Sequence, residues 1–232
     1  MSRLHTAVVL ILSLLASSAR ADDLAGLLSA ATAASKPSVP LRATGELVTT
    51  SPDGTVKQQI TVVQRPNGDA YYALQPSGLR ALLAAQGAAL LSPASGKPAA
   101  PFALDATLGG SELSREDLTP FDSARFGSPT IVDRNGSQTT VSLDPQKPTQ
   151  YTLEVITFDR DKAVPVKVMV YKDTLSHLLR MRRDSDFVQV GGRWRPTTVT
   201  MENFPLRITS TLTLSWAETP DDAALFDPAQ WK

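Results

Sequence analysis

The chain has 232 residues, 23 basic against 23 acidic side chains, two histidines and no cysteine. Disulfides, thiolate metal ligands and lipid attachment through a thiol are therefore excluded, and stability must come from packing, which a chain of this size can supply. No excess of basic residues marks nucleic acid as a partner, and no stretch after the N-terminus approaches the roughly 20 apolar residues of a membrane span, so a soluble protein is expected.

In chain order the first element is an export signal. Arg3 and His5 precede an apolar run from Ala7 to Leu15 broken by Ser13, and small residues end at Ala19-Arg20-Ala21. The run is too short for a bilayer, and the Ala-x-Ala end suits cleavage before Asp22. The expected organisation is a signal peptide, residues 1–21, and a single domain, residues 22–232, working in the periplasm. Losing Arg3 and Arg20 leaves 21 basic residues against 23 acidic ones, a mature net charge of about −2.

Leu24, Leu27, Leu28 and Ala31 recur at helical spacing, which predicts a short amphipathic helix over Ala25 to Ser35. Asp22 or Asp23 would cap it and Lys36-Pro37 ends it. From Leu41 the pattern changes to β-branched and apolar runs punctuated by Pro52-Asp53-Gly54 and Pro66-Asn67-Gly68-Asp69. Strands near Leu41 to Thr50, Lys57 to Arg65 and Ala70 to Gln75, joined as hairpins, follow from these turn signals.

The middle, Ser77 to Pro129, differs: Leu79 to Leu91 is mostly Leu and Ala, and Ser92 to Pro101 is rich in Pro, Ala, Gly and Ser. The first part reads as helix or strand and the second as a loop, and the pair is either a lid over a cavity or a buried element followed by an ordinary surface loop. After the hairpin signal Asn135-Gly136 the chain becomes a run of strands. In Leu206 to Trp216, Leu206, Ile208, Leu212, Leu214 and Trp216 share one face, interrupted by Ser210, while Arg207, Thr209, Thr211, Thr213 and Ser215 share the other. Val166, Val168 and Val170 alternate with polar or larger neighbours in the same way, as do Tyr151, Leu153 and Val155. Strands with one apolar face and short turns form an antiparallel sheet that must curl or be covered.

Catalytic signals are sparse. His177 is the one histidine after the signal peptide, and it sits in the turn Asp173-Thr174-Leu175-Ser176-His177 before a strand, where a surface role is expected. There is no Gly-x-Ser-x-Gly elbow, no phosphate-binding Gly-x-x-x-x-Gly-Lys loop and no calcium loop. The adjacent acids Asp22-Asp23, Glu116-Asp117 and Asp221-Asp222 suit capping or solvation. No enzyme, no metal and no cofactor is expected from these residues.

Two segments carry a resemblance. Leu108-Gly109-Gly110-Ser111-Glu112-Leu113-Ser114-Arg115-Glu116-Asp117-Leu118 resembles the Gly-Ser-x-x-Ser-x-x-Asp-Leu segment of the outer-membrane lipoprotein-sorting, LolA-like family. Val190-Gly191-Gly192-Arg193-Trp194-Arg195-Pro196-Thr197 resembles that family's Gly-x-Trp-x-Pro strand start, and Leu225-Phe226-Asp227-Pro228 follows before Trp231. Locally, Gly109-Gly110 permits a positive φ, Ser114 with Asp117 can form a capping box, and Pro196 suits the first residue of an edge strand. The resemblance implies a mainly β (α+β) fold, an incomplete antiparallel β-barrel with a few helices covering one side. It also implies an apolar cavity for lipid or lipoprotein acyl chains, and a membrane transporter or outer-membrane acceptor as a further partner.

The expected function is that of a periplasmic carrier or chaperone of a lipid-like ligand bound for the outer membrane, with Val168, Leu212, Leu214 and Trp216 as cavity-lining residues. The alternative on the same scaffold is a sensor or adaptor of a lipid or efflux system that binds a protein partner. An enzyme ranks third.

Overall fold

The computed structural model describes residues 23–85, 87–92, 99–146 and 151–231. The export signal, its cleavage site and the cap at Asp22 lie outside them. Helix α1 occupies residues 23–35 and is followed by strands β1 (Leu41–Ser51), β2 (Gly54–Gln64), β3 (Ala70–Gln75), β4 (Arg80–Ala84), β5 (Gly87–Leu91) and β6 (Ala100–Pro101). A short helix α2 (Arg115–Leu118) leads to β7 (Phe126–Asn135), β8 (Gln138–Pro145), β9 (Leu153–Asp159), β10 (Val164–Tyr171), β11 (Leu178–Val190), β12 (Arg193–Asn203) and β13 (Ile208–Glu218). Two single-turn 3-10 helices, Ala223–Phe226 and Pro228–Gln230, close the chain.

Among the described residues the strands form one 13-stranded sheet in the order β6-β5-β4-β3-β2-β1-β13-β12-β11-β10-β9-β8-β7. Every pairing is antiparallel, so the sheet is two meanders zipped together by β1 and β13, and its ends β6 and β7 do not meet. This is the incomplete barrel the sequence led us to expect. The ends are blunted against strand addition: β6 has two residues, and β7 carries Pro129, two register shifts and the exposed pair Asp133 and Arg134. At the central seam Gly45 faces Leu214, and a Cβ on Gly45 would stand 1.7 Å from the Thr213 carbonyl oxygen. Only glycine lets β1 come this close to β13.

The pairing registers place Val141, Ile156, Val168, Arg182, Met201, Ser210 and Thr49 in one row across seven strands. This face is the covered one. Over the β8 and β9 part lies α1, whose Leu28 and Ala31 pack with Phe126, Val141, Leu143, Ile156 and Phe158. Over β1–β4, β12 and β13 lies the segment 102–118, whose Phe102, Leu108 and Leu113 are almost fully buried. The opposite face is covered at β2–β4, where Val63, Tyr71 and Leu82 receive Phe226, Leu225 and Trp231 from the C-terminal turns. Tyr71 and Trp231 meet edge to face at 5.5 Å. Covering on both faces explains why β3 and β4 read as nearly unbroken apolar runs.

One open choice is decided and two expectations are corrected. The Leu79 to Leu91 run, open between helix and strand and between lid and buried element, supplies strands β4 and β5, a hairpin paired into the sheet and not a lid. Residues 93–98 of the loop after it lie outside the described residues. Leu206 is not on the buried face of β13: it sits in the β12–β13 turn and is 56% exposed, because β13 starts only at Ile208. Pro196 is the fourth residue of β12, which has neighbours on both sides, not the first of an edge strand. Its place is still physical, since the β12–β13 ladder begins at Thr198 and leaves the backbone at Pro196 unpaired on that side.

Candidate functional site

The covered face and its helical cover enclose a cavity of about 190 Å3. Its apolar lining comes from Val62 on β2, Val199 on β12 and Leu212, Leu214 and Trp216 on β13 and, across β11, from Val168 on β10 and Ile156 on β9. All four residues singled out in the sequence, Val168, Leu212, Leu214 and Trp216, line this cavity. Period two explains the pair on β13, and Ser210 continues their row without a penalty. Its hydroxyl shares a 3.0 Å hydrogen bond with Thr49 and accepts from the Glu112 backbone at 2.9 Å, so the polar interruption is a satisfied anchor for the covering segment. Trp216 donates from Nε1 to the Pro196 carbonyl at 2.9 Å, bridging the gap where the ladder opens.

Between these apolar residues the lining is charged. On β11, Arg180, Arg182 and Asp184 fall on the covered face at spacing two, and Arg182 forks onto Asp184 through Nε at 2.7 Å and Nη2 at 2.8 Å. Its Nη1 donates to the Asp117 carbonyl, and Arg180 reaches the Asp117 carboxylate at 3.0 Å. These acids hold the Arg182 guanidinium firmly charged despite burial, which by itself works against charge. The segment resembling the lipoprotein-sorting family therefore has a plain physical role. Ser114 and Asp117 form the expected capping box of α2, Gly109 and Gly110 adopt positive φ of 61° and 77°, and a Cβ at Gly109 would lie 2.3 Å from Leu74 Cδ1. Glu112 accepts from Asn203 at 2.7 Å. The segment is clamped across the sheet by β11, β12 and β13 and roofs the cavity with Leu113, Glu116 and Leu118.

Glu116 is not a solvated acid, as its adjacency to Asp117 led us to expect. It pairs with Arg125 and accepts from the Tyr151 hydroxyl at 2.6 Å, and the same hydroxyl stands 2.5 Å from Glu154. One hydroxyl proton cannot serve two carboxylates, and a protonated Glu154 donating to Tyr151 satisfies all three groups. Burial pushes the Glu154 carboxyl up to about 7, with the Glu116 charge adding to the rise. Sequence reasoning missed Glu116, Arg125, Glu154, Arg182 and Asp184. The one local signal was the Arg-x-Arg-x-Asp alternation of β11, flanked by apolar strands.

His177 lies where expected, in an exposed turn, with Nδ1 2.5 Å from Asp173. Of the other acids, Asp221 pairs with Arg65 at 2.6 Å and Asp222 caps the turn Ala223–Phe226. Among the described residues no His, Asp and Glu side chains gather as metal ligands, and no helix is long and apolar enough to cross a membrane.

An open antiparallel barrel roofed by helices is the LolA-like fold, and solved structures bear this out. The chain is similar to an outer membrane lipoprotein-sorting protein domain from Vibrio parahaemolyticus, at 17% identity and a TM-score of 0.71 over 87% of this chain and 95% of that one. It is similar to a LolA superfamily protein from Nitrosomonas europaea, at 17% identity and a TM-score of 0.68 over 87% and 96%. A DUF1329 family protein from Desulfovibrio piger aligns at 15% identity and a TM-score of 0.76 over 89% and 98%. Residues 92–230 match the model of a family described as "Uncharacterized protein", and the chain belongs to that family. No curated protein matches the sequence.

Proposed function

We propose that the chain is a periplasmic carrier that holds a lipid-like ligand in the cavity between the sheet and its helical cover. The observation that carries this reading is the convergence of Val168, Leu212, Leu214 and Trp216, from two separated strands, on one cavity. Apolar transfer at about 0.8 kcal/mol per buried CH2 would supply the affinity, and a wall of aliphatic side chains would accept a range of tails. The likeness in fold to an outer membrane lipoprotein-sorting domain supports the same class of cargo. Export through the signal ending at Ala21 would deliver the protein to that compartment.

The test is uptake of a fluorescent acyl probe by the purified protein, together with organic extraction of whatever it carries from the cell. Stoichiometric uptake is expected. Trp216→Leu, which keeps an apolar group but changes the shape of the wall, should weaken uptake more than it lowers the melting temperature. A protein that takes up no probe and yields no lipid would end the carrier reading and leave an adaptor that binds a protein partner.

A further inference from the structure

Three arginines stand on the cavity wall, and two of them are matched. Arg182 forks onto Asp184 and Arg125 pairs with Glu116. Arg195 is different. It is only 6% exposed, and its Nη1 donates to the Ala34 carbonyl at 3.1 Å and the Ser35 carbonyl at 3.2 Å, at the end of α1. Its Nε and Nη2 are buried and have no hydrogen-bond partner among the described residues. Burial, with the like charge of Arg193 behind it, pushes this guanidinium down to about 10, so it remains charged at neutral pH in surroundings that disfavour charge.

The free edge has a definite shape. Nε and Nη2 are the two atoms with which Arg182 grips both oxygens of Asp184 and Arg65 grips both oxygens of Asp221. On Arg195 the same fork is unused, and the described residues offer it no carboxylate. Two parallel N–H donors match the two oxygens of a carboxylate or phosphate, and burial without that match is costly. Leu214 and Trp216 line the same cavity, and Trp216 is hydrogen-bonded to the carbonyl of Pro196, the residue after Arg195. The cavity, about 190 Å3, is open to one side and of the order of the ~150 Å3 that accommodates a single benzene, so it takes the part of one chain nearest its head group.

We propose that the Nε and Nη2 edge of Arg195 is the head-group site for a single-chain anionic amphiphile, whose tail lies along Leu212, Leu214 and Trp216. The proposal rests on the carrier reading and narrows its cargo to a carboxylate or phosphate ester.

The experiment measures the binding of dodecanoate, monododecyl phosphate and dodecanol to the wild-type protein by displacement of an uncharged fluorescent probe. At least one anion should bind about tenfold or more tightly than the alcohol, as a charge-assisted bidentate contact requires, and the tighter anion identifies the head group. Arg195→Met should abolish that preference while leaving dodecanol binding within about twofold, and Arg195→Lys should restore only part of it, since an ammonium cannot fork. Should Arg195→Met fail to fold, the wild-type comparison still decides. Equal binding of all three ligands overturns the head-group site but keeps the carrier, whereas binding of none removes both.

Discussion

Of the cavity lining, Val62, Val199, Leu212 and Leu214 present methyl groups from the sheet, while Glu116, Arg125, Glu154, Arg182 and Asp184 form hydrogen-bonded sets that tie the roof to the sheet. The first group is held by strand geometry and can exchange side chains of similar volume at small loss. The second is held by directional contacts, and removing one partner strands another buried charge. The apolar residues thus set how much tail is buried, and the charged ones set where the segment 108–125 lies above them. The outer face of β2–β4, sealed by the C-terminal turns, stabilises the same strands without touching the cavity.

The largest loss is expected among the apolar lining residues. Leu212 is 4% exposed, and Leu212→Asp should cost about 4 kcal/mol or more by burying an unpaired carboxylate. Its neighbour Thr213 is exposed and faces Glu46, so Thr213→Asp should cost well under about 1 kcal/mol, from like-charge repulsion. Urea midpoints of the two variants measure the contrast, and equal losses would refute the facing of β13. Next in size, Phe226→Ala removes an apolar side chain lying under the Arg65 guanidinium, 3.9 Å from its ring centre. A loss of about 3 kcal/mol with unchanged affinity for an acyl probe is expected. A matching fall in affinity would show that the outer face shapes the cavity.

The charged residues of the lining respond to pH. Glu154 lies among Tyr151, Glu116, Arg125 and Asp117, and burial lifts its carboxyl from 4.5 to about 7 in the fold. A group whose folded pKa is raised favours the fold below its unfolded value, and that contribution is lost as pH rises through about 7. Stability from this group should therefore fall by about 3 kcal/mol between pH 4.5 and pH 8, and Glu154→Gln should flatten the slope. Urea titrations at both ends of the range test it, and an unaltered slope would place the titration elsewhere. The smallest effect belongs to His177, outside both groups. His177→Ala should change neither melting temperature nor probe uptake measurably, and loss of any turnover on that substitution would reopen the question of catalysis.

Short-range rules made a good part of this legible. Alternation along Leu212 to Trp216 announced a strand with a buried face, and the turn signals at Gly54, Gly68 and Gly136 placed three hairpins. Ser114 and Asp117 announced the cap of α2 three residues apart. Each of these depends on contacts within a few residues or on the pleat itself. The Leu and Ala run of β4 and β5 could not be assigned so, because apolar residues without alternation satisfy a helix and a doubly covered strand equally.

Most of the strands and turns, the one-sided apolar faces and, through the segments around Gly110 and Trp194, the LolA-like class of fold are written in the amino-acid sequence. Tertiary structure alone decided that β1 lies beside β13, that Arg182 and Arg125 find acids while the Arg195 fork finds none, and that Glu116 and Glu154 share Tyr151. The physical reason is range. Periodicity and capping are written into neighbouring residues, whereas strand register across the chain and the pairing of buried charges depend on which distant groups the closed packing brings within a few ångströms.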